Sequence, residues 1–230
     1  MPNRATGLTW DRPADPAAES VRSARGLSAQ AIVDTAIALA DVDGLDAVSI
    51  RRVAAVLDVR PMSLYTHIVS KDELLALMAN ELLGEAMVEE MLPADWRDAL
   101  TMTSRKLFRT FASHPWLLAL LARRPRHGPN AKRQAQQLAQ AVESLKLPPD
   151  EMWTVLSIVN DYILGHALRV ATTGSTTDMV DNLSEQDKAQ LPEVSALART
   201  EEMRRSGEVF ELGLQVVLDG VEHHFVTDRR

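Results

Sequence analysis

The chain has 230 residues, 46% of them hydrophobic, and no cysteine, which excludes a disulfide scaffold and a thiolate metal site. Its formal net charge of -7 argues against a uniformly nucleic-acid-binding surface, because phosphate binding requires lysine and arginine. The charge is unevenly distributed: residues 1–71 carry 8 basic and 8 acidic side chains, so the whole negative excess follows Lys71. A local basic face is therefore compatible with the N-terminal third.

Residues 1–26 are polar and contain several prolines and scattered arginines, which predicts a flexible N-terminal arm. The arm is interpreted either as a disordered extension or as a basic segment that contacts DNA. It has no apolar core region of a signal peptide, and no apolar run in the chain is long enough to span a bilayer. We therefore expect a cytoplasmic protein without a membrane partner.

Serine caps mark the first two predicted helices. Ser28 can cap a helix over residues 29–42, whose apolar residues recur at helical spacing, and Gly44 ends it. Ser49 can cap a second, shorter helix over residues 50–59.

A third short helix is predicted to begin at Pro61, after a tight break at residues 58–60, because the missing N–H of proline costs nothing in a first turn. Leu64 and Ile68, four residues apart, can hold this helix against the core and leave its polar side chains exposed. Two short helices joined by such a turn form a helix-turn-helix, whose second helix lies in the major groove of DNA. The alternative is a helical bundle that merely has exposed polar side chains.

The rest of the chain also has helical periodicity. Ser70 and Glu73 form a capping box that opens a long helix over residues 71–91. Residues 173–200 are polar and predict a long loop. Further helices are predicted near residues 95–112, 114–122, 129–145, 149–172 and 206–226, with proline or glycine in the breaks. No alternating strand pattern is present, so the predicted fold class is all-α.

The pieces "AIVDTAIAL", "GLDAVSIRRVAAVLDV" and "LYTHIVSKDELL" resemble, in this order, the DNA-binding domain of the TetR family of transcription regulators. The last piece is close to the specific family signature "LY.H…K..LL". The remainder is similar to the tetracycline-repressor-like C-terminal domain in "LFRTFASHPWLLALLARRP", "GPNA", "YILGHAL" and "FELGLQVVLDGVE". The resemblance implies a flexible arm (1–26), a three-helix helix-turn-helix DNA-binding domain (27–72) and a larger helical ligand-binding and dimerisation domain (73–230).

The resemblance also implies which residues contact double-stranded operator DNA. Arg51 matches a base-contacting arginine and Lys71 a backbone-contacting lysine, while Tyr65 and His67 match phosphate contacts. Asp58 stands where the family usually has glycine, and aspartate tolerates the left-handed conformation that the turn requires. The predicted DNA-binding residues are Arg51, Arg60, Pro61, Met62, Ser63, Tyr65, Thr66, His67 and Lys71.

A homodimer is implied as well, because each recognition helix reads one half-site of a two-fold operator. The resemblance assigns the interface to the last two long helices, where internal core packing is the alternative role for the same apolar residues. Asp161 and His166 are interpreted as interface, pocket or solvated groups. The predicted interface residues are Leu156, Val159, Ile163, Phe210, Leu214, Val217, Leu218 and Val221.

An effector pocket is implied in the C-terminal domain, although apolar residues at helical spacing also suit an ordinary core. The tetracycline regulators hold a drug–magnesium complex with histidines, whereas Leu120 or Leu121 stands at the matching position here. We therefore expect another small-molecule effector and neither a metal nor another cofactor. The candidate pocket residues are Met78, Leu82, Met102, Leu107, Phe111, Trp116, Leu120, Arg124, Pro125, Trp153, Asn160 and His166.

The sequence thus predicts a transcriptional repressor that a small-molecule effector releases from a palindromic operator. A helical interaction or effector-binding protein with a non-functional helix-turn-helix is the alternative. An all-α enzyme is a further alternative, but the chain has no nucleophile elbow, phosphate loop, zinc motif or paired-carboxylate motif. We therefore expect no enzymatic activity.

Overall fold

The computed structural model describes residues 27–123, 128–172 and 208–227. Within these ranges the chain forms nine α-helices and no strand, which confirms the all-α prediction. None of the described helices is long and apolar enough to cross a lipid bilayer. The helices are α1 (Ala29–Asp43), α2 (Ile50–Val56), α3 (Pro61–Leu64), α4 (Lys71–Glu85), α5 (Trp96–Ser113), α6 (Trp116–Ala122), α7 (Pro129–Ala141), α8 (Pro149–Ala171) and α9 (Glu208–Val221).

The chain divides into two compact units. Unit 1 comprises Met1–Glu90 and Arg109–Leu138, and unit 2 comprises Met91–Phe108 and Ala139–Arg230. The predicted arm and the predicted loop at 173–200 lie outside the described residues. The boundary between a DNA-binding domain (27–72) and a ligand-binding and dimerisation domain (73–230) stays a prediction.

The first helix of unit 1 has the ends that its sequence predicts. Ser28 Oγ accepts a hydrogen bond from the N–H of Ala31 at 3.0 Å and so satisfies a donor of the first turn. Gly44 ends the helix with φ 80°, a conformation that glycine adopts without steric cost, and donates its N–H to Ala40 O. The buried face of α1 consists of Ile32, Val33, Ala36 and Ala40.

Helix α4 ends at Glu85, so the predicted extension to residue 91 is wrong. The side-chain amide of Gln137, on α7, replaces the helical hydrogen bonds of Val88: Oε1 accepts from Val88 N at 3.0 Å and Nε2 donates to Val88 O at 2.7 Å. Val88 is buried there. A partner 49 residues away in sequence therefore fixes a backbone that local periodicity would continue as helix.

Two other helices are shorter than predicted. Helix α2 ends at Val56, because residues 57–60 form the turn that precedes α3. Helix α7 ends at Ala141 and is followed by a 3₁₀ turn at Glu143–Leu145. Short 3₁₀ turns commonly follow helices, where they satisfy the last carbonyl groups.

Unit 2 is built around the packing of α8 against α9. Arg97, on the unit 2 part of α5, contacts Asp219 at 2.8 Å and Glu222 at 2.6 Å, while Arg105 binds Glu211 through two guanidinium nitrogens. These pairs join α5 to α9 and to the π-helix Glu222–Thr227 that follows it. The buried residues of α8 and α9 are Val155, Val159, Ile163, His166, Ala167, Phe210, Leu214, Leu218 and Val221.

Candidate functional site

The turn between α2 and α3 is closed by backbone hydrogen bonds. The N–H of Val59 donates to Ala54 O at 3.0 Å, and the N–H of Asp58 donates to Ala55 O at 3.3 Å. Asp58 has φ 53°, which confirms the left-handed conformation expected for this position. The turn that a helix-turn-helix requires is therefore formed with aspartate in place of glycine.

Helix α3 is held to the core from one side and ends at Leu64, so Tyr65, Thr66 and His67 lie in the turn that follows it and not in the predicted helix. Arg60 is its extended N-cap and Pro61 its first residue, as predicted. Leu64 and Ile68 are 0% and 1% exposed, and burial of each stabilises the fold by roughly 1.5–3 kcal/mol. The other side chains of this segment are not part of the core: Pro61, Met62, Tyr65 and Thr66 are exposed, and Ser63 and His67 are half-buried.

Three cations lie on the elements around α3. Arg51, Arg60 and Lys71 are exposed, and their side chains have no hydrogen bond or ion pair with the part of the chain that the structure describes. Arg52 differs from its neighbour Arg51, because it pairs with Asp43. Exposed cations without a partner among the described residues are suited to phosphate groups of DNA.

The start of α4 is fixed by the predicted capping residues. Ser70 Oγ accepts from the N–H of Glu73 at 3.1 Å, as in a capping box. The Glu73 carboxylate accepts from the N–H of Val69, one residue before the donor of the usual box. This arrangement holds Lys71 at the first position of α4, next to the segment that follows α3.

The candidate effector residues fall into both units. Met102 and Asn160 of unit 2 are half-buried, and Trp153 is 73% exposed. Arg124 and Pro125 lie outside the described residues. The buried candidates are Met78, Leu82, Phe111, Trp116 and Leu120 in unit 1, and Leu107 and His166 in unit 2.

Unit 2 contains an aromatic cluster formed by Phe108, Tyr162, His166 and Phe210. The rings of Phe108 and Phe210 stack at 4.1 Å, and the His166 ring meets Phe108 edge-on at 5.2 Å. Tyr162 Oη donates to Phe210 O at 2.8 Å, and burial raises the pKa of this phenol. Sequence reasoning missed Tyr162, although its position four residues before His166 places both on one face of α8.

His166 is buried, so the solvated interpretation is wrong for it, whereas Asp161 is exposed. Burial, reinforced by the positive charge of Arg169, lowers the pKa of His166. Arg169 Nη2 lies 3.2 Å from His166 Nδ1, and a guanidinium can only donate, so Nδ1 accepts and Nε2 carries the proton. Ser104 is a second buried polar group of unit 2, and its Oγ has no hydrogen-bond partner among the described residues.

The predicted interface residues are mostly packed within their own unit. Leu156 and Val217 are half-buried, and the other six, Val159, Ile163, Phe210, Leu214, Leu218 and Val221, are buried. The same two helices also carry large apolar side chains that are exposed, and sequence reasoning did not assign most of them to the interface. These exposed residues are Trp153, Ile158, Leu168 and Val170 on α8, and Leu212 and Val216 on α9.

Among the described residues, no group of three or more histidine, aspartate or glutamate side chains could hold a metal ion.

Two family models match the chain. "Bacterial regulatory proteins, tetR family" matches residues 32–78, and "Tetracyclin repressor-like, C-terminal domain" matches residues 91–225. The chain is 31% identical to the HTH-type transcriptional repressor DrrR1 of Streptomyces coeruleorubidus over 242 residues, which cover 95% of this chain and 85% of that relative.

Solved structures show the same similarity. Apo ActR from Streptomyces coelicolor is 27% identical, with a TM-score of 0.70, and the match covers 86% of this chain and 96% of that one. ActR in complex with actinorhodin is 28% identical, with a TM-score of 0.69, and the match covers 85% and 95%. The chain therefore belongs to the TetR family of bacterial transcription regulators, which are DNA-binding proteins and not enzymes.

Proposed function

We propose that this protein is a transcriptional repressor, which binds a palindromic double-stranded operator as a homodimer and is released by a small-molecule effector. It acts in the cytoplasm, where bacterial DNA lies. The observation that carries the proposal is the surface around α3, where a core-anchored helix presents polar side chains beside Arg51, Arg60 and Lys71. Arg51, Arg60 and Lys71 have no hydrogen bond or ion pair with the described residues, so their charges are available to phosphate groups.

The resemblance to the TetR family supplies the proposed role of each DNA-binding residue. Arg51, at the start of α2, contacts a base edge, where a guanidinium can bind guanine through two hydrogen bonds. Tyr65 and His67, in the turn that follows α3, contact phosphates, and Lys71 contacts a phosphate at the start of α4. Phosphate contacts fix the register of the protein on DNA, and Arg51 contributes to the choice of sequence.

The first experiment selects operator fragments from genomic DNA of the source organism with the purified protein at two salt concentrations. We expect a palindromic motif whose affinity falls as salt rises. Binding to the selected operator is then measured for Arg51→Ala, Tyr65→Ala and the matched control Arg52→Ala. Loss of a bidentate base contact weakens binding by about 1–3 kcal/mol, or roughly 5- to 150-fold.

Arg52→Ala should retain operator affinity, because Arg52 pairs with Asp43. Unchanged affinity of both Arg51→Ala and Tyr65→Ala, in variants that fold and dimerise normally, would contradict the site. A selection without any enriched motif would contradict the function itself.

The homodimer is supported by the exposed apolar side chains of α8 and α9, because exposed apolar patches commonly mark interaction sites. Ile158, Leu212 and Val216 are 44%, 53% and 62% exposed. We assign these three to the interface together with Leu156 and Val217. The buried residues of the same helices pack behind them and support the interface without contacting the partner. Leu212→Glu should convert the dimer into a monomer in analytical ultracentrifugation, and Val42→Glu, at an exposed position of α1, should not. A dimeric Leu212→Glu variant would contradict the assignment.

A small-molecule effector is supported by the complex of the similar protein ActR with actinorhodin. Within unit 2, Asn160, His166 and Ser104, whose Oγ has no hydrogen-bond partner among the described residues, offer polar groups of the kind that ligand sites require. A compound that binds the protein and dissociates it from the operator must also bind more weakly in the presence of operator, because coupling is reciprocal. Isothermal titration with and without operator measures both effects.

A further inference from the structure

The exposed surface at the N-terminus of α3 has an apolar side chain as well as polar ones. Met62, the second residue of the helix, is 73% exposed, whereas Leu64 and Ile68 supply the core contacts of this segment. Met62 therefore does not hold the helix in place. In the helix-turn-helix docking mode, the N-terminal residues of the second helix lie closest to the base edges. Met62 and the neighbouring Pro61 occupy this position.

The same segment has little capacity for reading bases through paired hydrogen bonds. Residues 61–68 contain no arginine, lysine, asparagine or glutamine, the side chains that read guanine or adenine through two hydrogen bonds. Thr66 Oγ1 donates its proton to Ser63 O at 2.7 Å, so this hydroxyl can only accept from DNA. In this docking mode, the surface that enters the groove therefore consists mainly of Pro61 and Met62, at the N-terminus of α3.

The major groove offers one apolar group on its base edges, the C5 methyl of thymine. We infer that Met62 is a specificity-determining residue that contacts thymine methyl groups, so that each operator half-site contains an A·T pair opposite the first turn of α3. This inference rests on the proposed DNA binding and names what that site reads. Burial of one methyl-sized group contributes about 0.8 kcal/mol, which corresponds to roughly fourfold in affinity.

The test replaces each thymine of the selected operator, one position at a time, by deoxyuracil. This base keeps every hydrogen-bonding group of thymine and lacks only the methyl. Affinities are measured by fluorescence anisotropy for the wild-type protein and for Met62→Ala. We expect about a fourfold loss at one thymine position per half-site for the wild type, and roughly 16-fold when both half-sites are substituted. Met62→Ala should bind the thymine and deoxyuracil operators equally.

Met91→Ala is the matched control, because Met91 is 92% exposed and follows α4 rather than lying in the helix-turn-helix. This variant should keep the preference for thymine, and Met62→Leu should keep part of it through an apolar side chain. Circular dichroism should show the same unfolding transition for Met62→Ala and the wild type, since the side chain is exposed.

Two results would overturn the inference while leaving the proposed function intact. One is a wild-type protein that binds all deoxyuracil operators as tightly as the thymine operator. The other is a loss on deoxyuracil substitution that persists in Met62→Ala, which would assign the effect to DNA shape or to another residue. A selection that yields no operator would contradict the proposed function, and this inference with it.

Discussion

Asn80 and Asn130 form a reciprocal contact between α4 and α7. Asn80 Oδ1 accepts from the backbone N–H of Asn130 at 2.9 Å, and Asn130 Nδ2 donates to Asn80 O at 2.9 Å. A Cβ at Gly84 would lie 2.5 Å from Asn130 Nδ2, and one at Gly128 would clash with Asn80 Oδ1, so both glycines leave room for this contact. Asn80 thereby satisfies a first-turn donor of α7 and fixes α4, the helix that begins directly after the helix-turn-helix.

Asn80→Ala should lower the free energy of unfolding by about 1–2 kcal/mol, because the N–H of Asn130 loses its acceptor. Asn80→Asp keeps an acceptor and places a negative charge at the N-terminus of α7, so it should retain most of the stability. Urea denaturation at one protein concentration measures both, since the stability of a dimer depends on concentration. The control is Gln136→Ala at an exposed position of α7. Equal stability of Asn80→Ala and this control would contradict the role of the contact.

Asp41 joins α1 to the start of α6. Its Oδ1 accepts from Trp116 Nε1 at 2.7 Å and lies 2.7 Å from His114 Nδ1. Asp41→Ala should lower the free energy of unfolding by about 1–3 kcal/mol, because the buried indole N–H loses its acceptor.

Asp46→Ala is the matched control for Asp41→Ala. Asp46 also faces a cation, Arg123 at 3.4 Å, but its side chain is 96% exposed. Exposed pairs contribute little, so Asp46→Ala should change stability by less than about 0.5 kcal/mol. Thermal unfolding monitored by tryptophan fluorescence compares the two variants, and a larger loss in Asp46→Ala would refute this interpretation of Asp41.

The parts of the fold that the sequence predicts correctly depend on neighbouring residues. The caps at Ser28, Ser49 and Ser70 each bind a backbone N–H three residues later, so the sequence signal and the contact coincide. The left-handed turn at Asp58 is equally local. The end of α4 was not predictable in this way, because Gln137 fixes Val88 from another helix.

The same difference between local and distant contacts decides which functional surfaces the sequence predicts. The exposure of α3 follows from the spacing of Leu64 and Ile68 and was predicted correctly. Helices α8 and α9, however, carry apolar residues on more than one face. Periodicity does not distinguish the face that packs within the chain, with Val159 for example, from the face that remains exposed, with Ile158. The contacts of Asp41 lie more than 70 residues away in sequence, and nothing near Asp41 indicates them.

Two non-glycine residues with positive φ provide a test of backbone strain. Asp58 and Lys146 have φ 53° and 51°. Asp58→Ala should lower the free energy of unfolding by about 1 kcal/mol, because alanine lacks the short polar side chain that makes the left-handed conformation tolerable. Lys146→Gly should raise it by about 1 kcal/mol, because glycine adopts this conformation without the Cβ penalty. Urea denaturation measures both changes, and equal stability of Asp58→Ala and the wild type would contradict the stabilising role of the Asp58 side chain.

The buried His166 should make stability depend on pH. Its pKa is lowered from the ordinary value of 6.5 by burial and by the charge of Arg169, so the unfolded chain binds a proton more readily than the folded chain. As pH falls through about 6.5, proton uptake by the unfolded chain therefore reduces the free energy of unfolding. The reduction ceases below the pKa of the folded state, where both states are protonated.

His166→Phe keeps an aromatic ring beside Phe108 and Phe210 but removes the titrating group. The free energy of unfolding of the wild type and the variant should be measured by urea denaturation at several values between pH 5 and pH 8. Relative to the variant, the wild type should lose stability towards acid and reach a plateau above pH 7. Parallel pH curves would contradict a neutral His166 in the folded protein. A wild type that gains stability in acid would require the opposite shift of the His166 pKa, and with it a charged imidazolium in the aromatic cluster.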